Sequence, residues 1–216
     1  MARRGSYAKG VAKREEILTA ALEVIARRGY GRASVRELAD AVGLSQAGLL
    51  HYFSSKEELF AEVLRKRDEV DRAALDSVPR GDVSEGDRFV RTIRHNADVP
   101  GLVQLYARLS SEATEPEHPA RGYFEERYRG LRGLTSDTIR DGQAAGTIRD
   151  DVDADQAASL LLAVADGLQT QWLMDPSIDM AEHVEAFLRL LERPATDGAA
   201  VPAPAEDDDD ADQETR

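Results

Sequence analysis

The sequence predicts an all-α protein, built as a small N-terminal head of three helices and a larger C-terminal helical bundle, about nine helices in all. Three observations carry this. Apolar residues recur at helical spacing, with no period-two alternation long enough for a sheet. Serine or aspartate repeatedly stands three residues ahead of Glu or Gln, the spacing of a capping box. Glycine and proline mark the joints between these segments.

The first helix is predicted from about Val11 to Arg28, with Ile17, Leu18, Ala21, Leu22 and Ile25 on one face. Gly29 and Gly31 close it, because glycine lets a chain leave a helix through positive φ. Ser34 and Glu37 open the second helix, in which Val35, Leu38, Ala39 and Val42 form one apolar stripe. Gly43 ends it, and Ser45 caps a third helix running to about Phe53. Ser55 and Glu58 open a fourth, through about Leu75. Residues 76–86 hold a proline and two glycines and read as a connection. Five further helices are expected at roughly 87–97, 101–114, 119–144, 154–174 and 179–192. Asp153 with Gln156 and Asp179 with Glu182 are their clearest start signals, and Pro176 separates the last two. The domains are therefore a flexible basic arm over 1–10, a head over 11–75, a bundle over 87–192 and a tail over 194–216. The tail is rich in Ala, Pro and Asp and cannot bury enough apolar surface to offset ordering, so its composition predicts disorder.

The net charge of −13 hides a gradient. Residues 1–53 carry nine Lys/Arg against five Asp/Glu, whereas residues 194–216 carry eight acids and one arginine. A basic head beside an acidic tail suits a polyanion-binding part, although a solvated charged surface gives the same counts. The chain has no cysteine, which removes disulfides, thiolate nucleophiles and cysteine-ligated zinc. His51, His95, His118 and His183 stand far apart, and no phosphate loop or nucleophile motif is present. The expectation is a protein without catalytic residues, metal or cofactor. No stretch approaches the roughly 20 apolar residues of a membrane span, and no apolar run follows the basic N-terminus. A cytoplasmic protein without a membrane partner is expected.

The informative unit is SVRELADAVGLSQAGLLHYF, residues 34–53. Two short helices packed steeply enough for the second to enter a DNA major groove need a small residue at their approach, a turn residue tolerant of positive φ, and an apolar anchor. Ala39, Gly43 and Leu49 supply these in order. The stretch from Lys13 to Leu64, above all HYFSSKEEL, resembles the head of the tetracycline-repressor (TetR) family. DVDADQAASLLLAVADGLQTQWLMDP resembles the penultimate helix of that family's C-terminal domain. The resemblance implies a homodimeric repressor, released from a (pseudo)palindromic double-stranded DNA operator by a small-molecule effector. A helical protein-interaction module without specific DNA binding is the alternative.

Carried over, the family pattern places Ser45, Gln46, Ala47, Gly48, His51 and Tyr52 toward DNA, with Ser34 and Lys56 near phosphates. Gln46 suits the N6/N7 edge of adenine. Ser34 sits at a helix N-terminus, where free N–H groups suit phosphate. Lys56 stands where the helix dipole disfavours a cation, so phosphate is its expected partner. The family commonly has a hydroxyl residue at Gly48 and a tyrosine at Leu50. Leu50 therefore either touches a thymine methyl or packs within the head, and Tyr52 divides between phosphate and core. Residues 1–10 either follow the DNA or stay solvated, and the tail either competes with DNA or only solubilises the chain.

For the bundle, Tyr106, Tyr123, Phe124, Tyr128 and Trp172 are candidate walls of an effector pocket, with His95, Arg108 and Gln169 as polar anchors. Leu160, Leu161, Val164, Leu168, Phe187 and Leu191 are candidate dimer-interface residues. For each pocket candidate plain packing or a surface position is the commoner reading, whereas core and interface predict the apolar stripes alike and only the resemblance favours the interface.

Overall fold

A computed structural model describes residues 2–77 and 84–194, with only the backbone of residues 2–7. Among the described residues there are nine α-helices: α1 (Ala2–Arg28), α2 (Val35–Ala41), α3 (Gln46–Leu50), α4 (Lys56–Asp76), α5 (Glu85–Asn96), α6 (Pro100–Glu112), α7 (Arg121–Ala144), α8 (Ala154–Met174) and α9 (Met180–Leu191). A 3₁₀ turn, Tyr30–Arg32, follows α1, and the nearest thing to a sheet is one isolated antiparallel bridge between Ile148 and Glu192. Residues 78–83, within the predicted connection, and residues 195–216, most of the predicted tail, lie outside the described residues.

Two boundaries differ from expectation. Helix α1 begins at Ala2 rather than Val11, so the backbone of residues 2–10 continues the helix instead of forming a separate arm. Five of its nine residues are Ala, Arg or Lys, good helix formers that offset Gly5 and Gly10, and no proline stops it. Helix α3 ends at Leu50 rather than Phe53. The chain must turn there to bring Phe53 into the core, where it is fully enclosed and the Arg14 guanidinium lies 4.7 Å from its ring centroid.

Head and bundle share one core. Ile17, Leu18, Ala21 and Ile25 of α1 meet Leu38, Leu49, Leu59, Phe60 and Leu64 from α2, α3 and α4, and the same cluster continues into Leu102, Leu105, Tyr106 and Leu109 of α6. What permits this contact is Gly101. A Cβ at that position would lie 2.7 Å from the Gly29 Cα and closer still to the Ile25 carbonyl oxygen. Gly29 in turn takes φ +81°, a conformation that costs any other L-residue. The start of α6 thus rests directly on the last turn of α1.

The rest of the bundle has two smaller cores. Val90 and Ile93 of α5, Leu161, Ala165 and Leu168 of α8, and Met180 and Val184 of α9 form one. Ile139, Ala154, Ala157, Ala158 and Leu191 form the other, where α7, α8 and α9 meet.

Candidate nucleic-acid interface and effector cluster

The α2–turn–α3 unit is built as its residues require. The Ser34 hydroxyl accepts the Glu37 backbone N–H at 3.2 Å, and the Glu37 carboxylate accepts the Ser34 N–H at 3.0 Å. Both halves of the capping box are therefore made. The chain leaves α2 through Gly43 at φ +66°, with the Leu44 N–H donating to the Ala39 carbonyl at 2.9 Å. Lys13 of α1 donates to the Val42 carbonyl at 3.0 Å, which ties the turn to the head. Ser45 then caps α3 by accepting the Gly48 N–H at 3.0 Å, and Leu49 is pulled wholly into the core.

Because Leu49 fixes which way α3 faces, its other residues look outward. Ser34, Ser45, Gln46, Ala47, His51 and Lys56 are exposed, and Gly48 and Tyr52 are half-buried. Leu50 is 40 % exposed and stands outside the head core. Tyr52 rests against the head core, with the His51 ring edge-on at 6.0 Å. Gly48 has a local reason that the sequence did not reveal: a Cβ there would press to 3.2 Å from the capping Ser45 hydroxyl. Lys56 also has a partner inside the chain, since its ammonium lies 5.3 Å from the Phe60 ring centroid. Arg32, exposed two residues before Ser34, has no carboxylate partner among the described residues and was not anticipated.

The cap at α3 yields a direct expectation. Ser45→Ala leaves an exposed N–H without its acceptor and should cost about 1 kcal/mol. Urea unfolding at fixed protein concentration reads this, and an unchanged midpoint would mean the cap does not hold α3. The next helix start differs from its predicted form. Ser55 accepts the Glu58 N–H at 3.0 Å, but the Glu58 carboxylate turns to the Ser54 N–H at 2.6 Å and the Ser54 hydroxyl. Those hydrogen bonds, the hydroxyl first, hold Glu58 below the usual glutamate range.

The effector candidates separate into groups. Tyr106, Tyr123, Phe124 and Tyr128 do come together, with Phe124 4.9 Å from Tyr123, 5.5 Å from Tyr106 and 6.3 Å from Tyr128 between ring centroids. The structure adds three charged residues that sequence reasoning passed over. Arg127 of α7 pairs with Asp68 of α4 and lies 5.4 Å from the Tyr106 ring centroid. The Tyr123 hydroxyl donates to Asp68 at 2.8 Å. Asp166 of α8 accepts from Tyr106 at 3.1 Å and from Tyr128 at 2.6 Å. Burial pushes the Tyr106 hydroxyl up to about 12 and raises Tyr123 and Tyr128 further, so all three stay neutral and donate. Burial also raises Asp166, against the tyrosine hydrogen bonds that favour its charge. Gln169, one turn along α8, is buried with its Oε1 unpartnered.

His95, Arg108 and Trp172 lie elsewhere. His95 is exposed, 3.6 Å from Asp98. Arg108 is exposed and engages Glu112 at 2.8 Å and the Tyr30 ring. Trp172 packs against the α5–α8–α9 core and lines a cleft of about 300 Å³ with Ile93, Ile178 and Met180. The dimer candidates divide too. Leu161, Leu168 and Leu191 are largely buried within their own protomer, at 3 %, 8 % and 8 % exposure. Leu160 is 56 % exposed, while Val164 and Phe187 are half-buried; Leu190, not anticipated, is 68 % exposed.

Comparison with known proteins places these features. Residues 17–63 match the family described as bacterial regulatory proteins, tetR family, and residues 102–193 match the C-terminal region of BetI-type transcriptional repressors. An HTH-type transcriptional repressor of Mycobacterium tuberculosis is 31 % identical over 160 residues, 73 % of this chain and 80 % of its own. The repressor KstR2 of the same species is 31 % identical over 152 residues, covering 66 % and 72 %. A solved transcriptional regulator from Saccharomonospora viridis, in complex with choline, superposes with a TM-score of 0.66 at 28 % identity, over 83 % of this chain and 97 % of that one.

Proposed function

This chain belongs to the TetR family of bacterial transcriptional regulators, and on that premise we propose that it is a cytoplasmic homodimer that represses genes from a two-fold operator and is released by a small molecule bound in the bundle. The observation that carries the reading is the orientation of α3. One side chain, Leu49, anchors the helix, and Gln46, Ala47, Leu50 and His51 are left on its exposed side. Capped at Ser45 and held through Leu44 and Gly43, that face is suited to a major groove. Gln46 reads a base edge, His51 a base or phosphate, and Ser34, Tyr52, Lys56 and Arg32 take the backbone.

Two heads must stand about one helical turn or more apart to read two half-sites. The exposed Leu160 and Leu190 of α8 and α9, flanked by Val164 and Phe187, give a second copy an apolar surface on which to pair. The repressor names of the relatives support the direction of control. The choline complex of the Saccharomonospora viridis regulator supports a small-molecule site in a body of this shape. Described residues include no helix long and apolar enough to cross a membrane.

The test is operator selection from a random duplex pool with the full chain, followed by footprinting. The expected result is two inverted half-sites protected on one face of the helix. Recovery of unrelated sequences, with binding indifferent to them, would favour the protein-interaction reading instead.

A further inference from the structure

Three cations of the head have no carboxylate of their own. Lys9, Arg32 and Lys56 are exposed and form no ion pair among the described residues; Lys56 has only the Phe60 ring. Most Lys and Arg side chains of the bundle are paired. Each of the three borders the α2–turn–α3 unit. Lys9 is one turn before Lys13, which reaches the turn at Val42; Arg32 precedes the Ser34 cap; Lys56 opens α4. Such a surface attracts a polyanion, and the chain carries one of its own. Residues 206–214, EDDDDADQE, hold seven acids and no cation, behind a spacer, residues 195–205, with a single acid. A fully extended acidic run bears one charge about every 3.4 Å, the density of phosphates along one DNA strand.

The structure fixes where this segment starts. The Arg193 N–H donates to the Thr147 carbonyl at 2.9 Å and the Arg149 N–H to the Leu191 carbonyl at 3.0 Å, while the Arg193 side chain pairs with Asp150 at 2.8 Å. The chain therefore leaves α9 beside the C-terminal end of α7. The way back to the head runs along α7 to Tyr123, which donates to Asp68, and then along α4 to Lys56. Laid end to end, with the side chains that join them, these stretches measure about 60 Å, the longest the gap can be. The 20 residues from Ala195 to Glu214 can span about 66 Å. The spacer thus puts the acids at the distance where the head lies. Residues 54–193 hold 18 Lys/Arg against 28 Asp/Glu, so the body between repels an acidic run rather than holding it.

We propose that residues 206–214 dock on the Lys9–Arg32–Lys56 face of their own protomer's head and compete with DNA for it, an internal substitute for phosphate. The effect on operators rests on the regulator reading above; the docking itself does not. A tethered competitor lowers the affinity for every duplex by the same factor, because only the undocked fraction can bind. Its effective concentration is set by the spacer and not by how much protein is present. The contact joins solvent-exposed charges, so it holds at low ionic strength and is released as salt rises.

Amide NMR spectra of the full chain and of a chain ending at Pro194, recorded without DNA, test the docking. The expected result is a set of low-salt shift differences centred on Lys9, Arg32 and Lys56, fading by about 0.3 M salt and unchanged on dilution. Identical spectra, or differences confined to the bundle, would overturn it. Differences that weaken on dilution would also overturn it, since a second copy would then supply the acids. Anisotropy with a scrambled duplex reads the competition. Removing the tail should strengthen binding at least about threefold near 50 mM salt, with no gain near 0.3 M. Glu206→Gln combined with Asp207→Asn, Asp208→Asn, Asp209→Asn and Asp210→Asn should do most of the same, and serves if the shortened chain does not fold. In an Arg32→Gln/Lys56→Gln background the gain should shrink; an undiminished gain would mean that the tail only repels phosphate, and would overturn the docking. The expected spectra from a protein that selects no operator would contradict the regulator reading alone. Operator selection with identical spectra would sink the docking alone.

Discussion

An Arg127→Leu protein is expected to lose about 3 kcal/mol of stability, the lower end of the range for breaking a buried ion pair. The side chains of Arg127 and Asp68 are 21 % and 20 % exposed, which is why the upper end is not reached. Leucine fills part of the space, but Asp68 would keep its charge with only the Tyr123 hydroxyl to stabilise it. Chemical unfolding at fixed protein concentration measures this, because a dimer's stability depends on concentration. The double variant Asp68→Asn/Arg127→Leu should recover much of the loss, since the uncompensated charge is gone. A single variant within about 0.5 kcal/mol of wild type would show the pair to be no more than a surface contact. The pair matters beyond stability because it joins α4, the helix leaving the head, to α7 beside the aromatic cluster.

Gly101→Val should be comparably damaging for a different reason. The new side chain would start from a position already too close to the Gly29 Cα and the Ile25 carbonyl. Both obstacles are backbone, so neither rotates away, and α6 must back off from α1. Overpacking of this kind costs about 1–3 kcal/mol, and here it also moves the head relative to the bundle. Operator affinity should therefore fall along with the unfolding midpoint. Gly122→Ala in α7 is the matched control: its Cβ would meet nothing within 4 Å, and the helix should gain up to about 1 kcal/mol. Equal behaviour of the two variants would mean that the α1–α6 approach is not tight in solution.

How much of this was legible in the sequence depended on the range of the interaction. The α2 cap, the turn and the α3 start were legible because their determinants are local: Ser34 with Glu37, Gly43, and Ser45 ahead of the Leu49 anchor act within a few residues of one another. The bundle helices fell within a few residues of their predicted limits because Asp153 and Asp179 do cap α8 and α9, each accepting the N–H three residues on. Asp68 and Asp166 were hidden for the opposite reason. On amphipathic helices most carboxylates are solvated, and nothing near Asp68 in sequence marks Arg127 as its partner. Leu161, Leu168 and Leu191 carried an apolar stripe that core and interface explain equally, and their packing within the protomer is visible only in three dimensions. The need for glycine at 101 is steric and long-range, so no local pattern announces it.

The central claim is that the exposed face of α3 reads DNA sequence. Fluorescence anisotropy against the selected operator and a scrambled duplex, with wild type and Gln46→Ala, tests it most directly. Wild type should prefer the operator by about a thousandfold or more at physiological salt. Gln46→Ala should lose roughly 1–3 kcal/mol on the operator, about fivefold to 150-fold, with its binding to the scrambled duplex unchanged. An equal loss on both duplexes, or no loss on either, would contradict a base-reading role for this face.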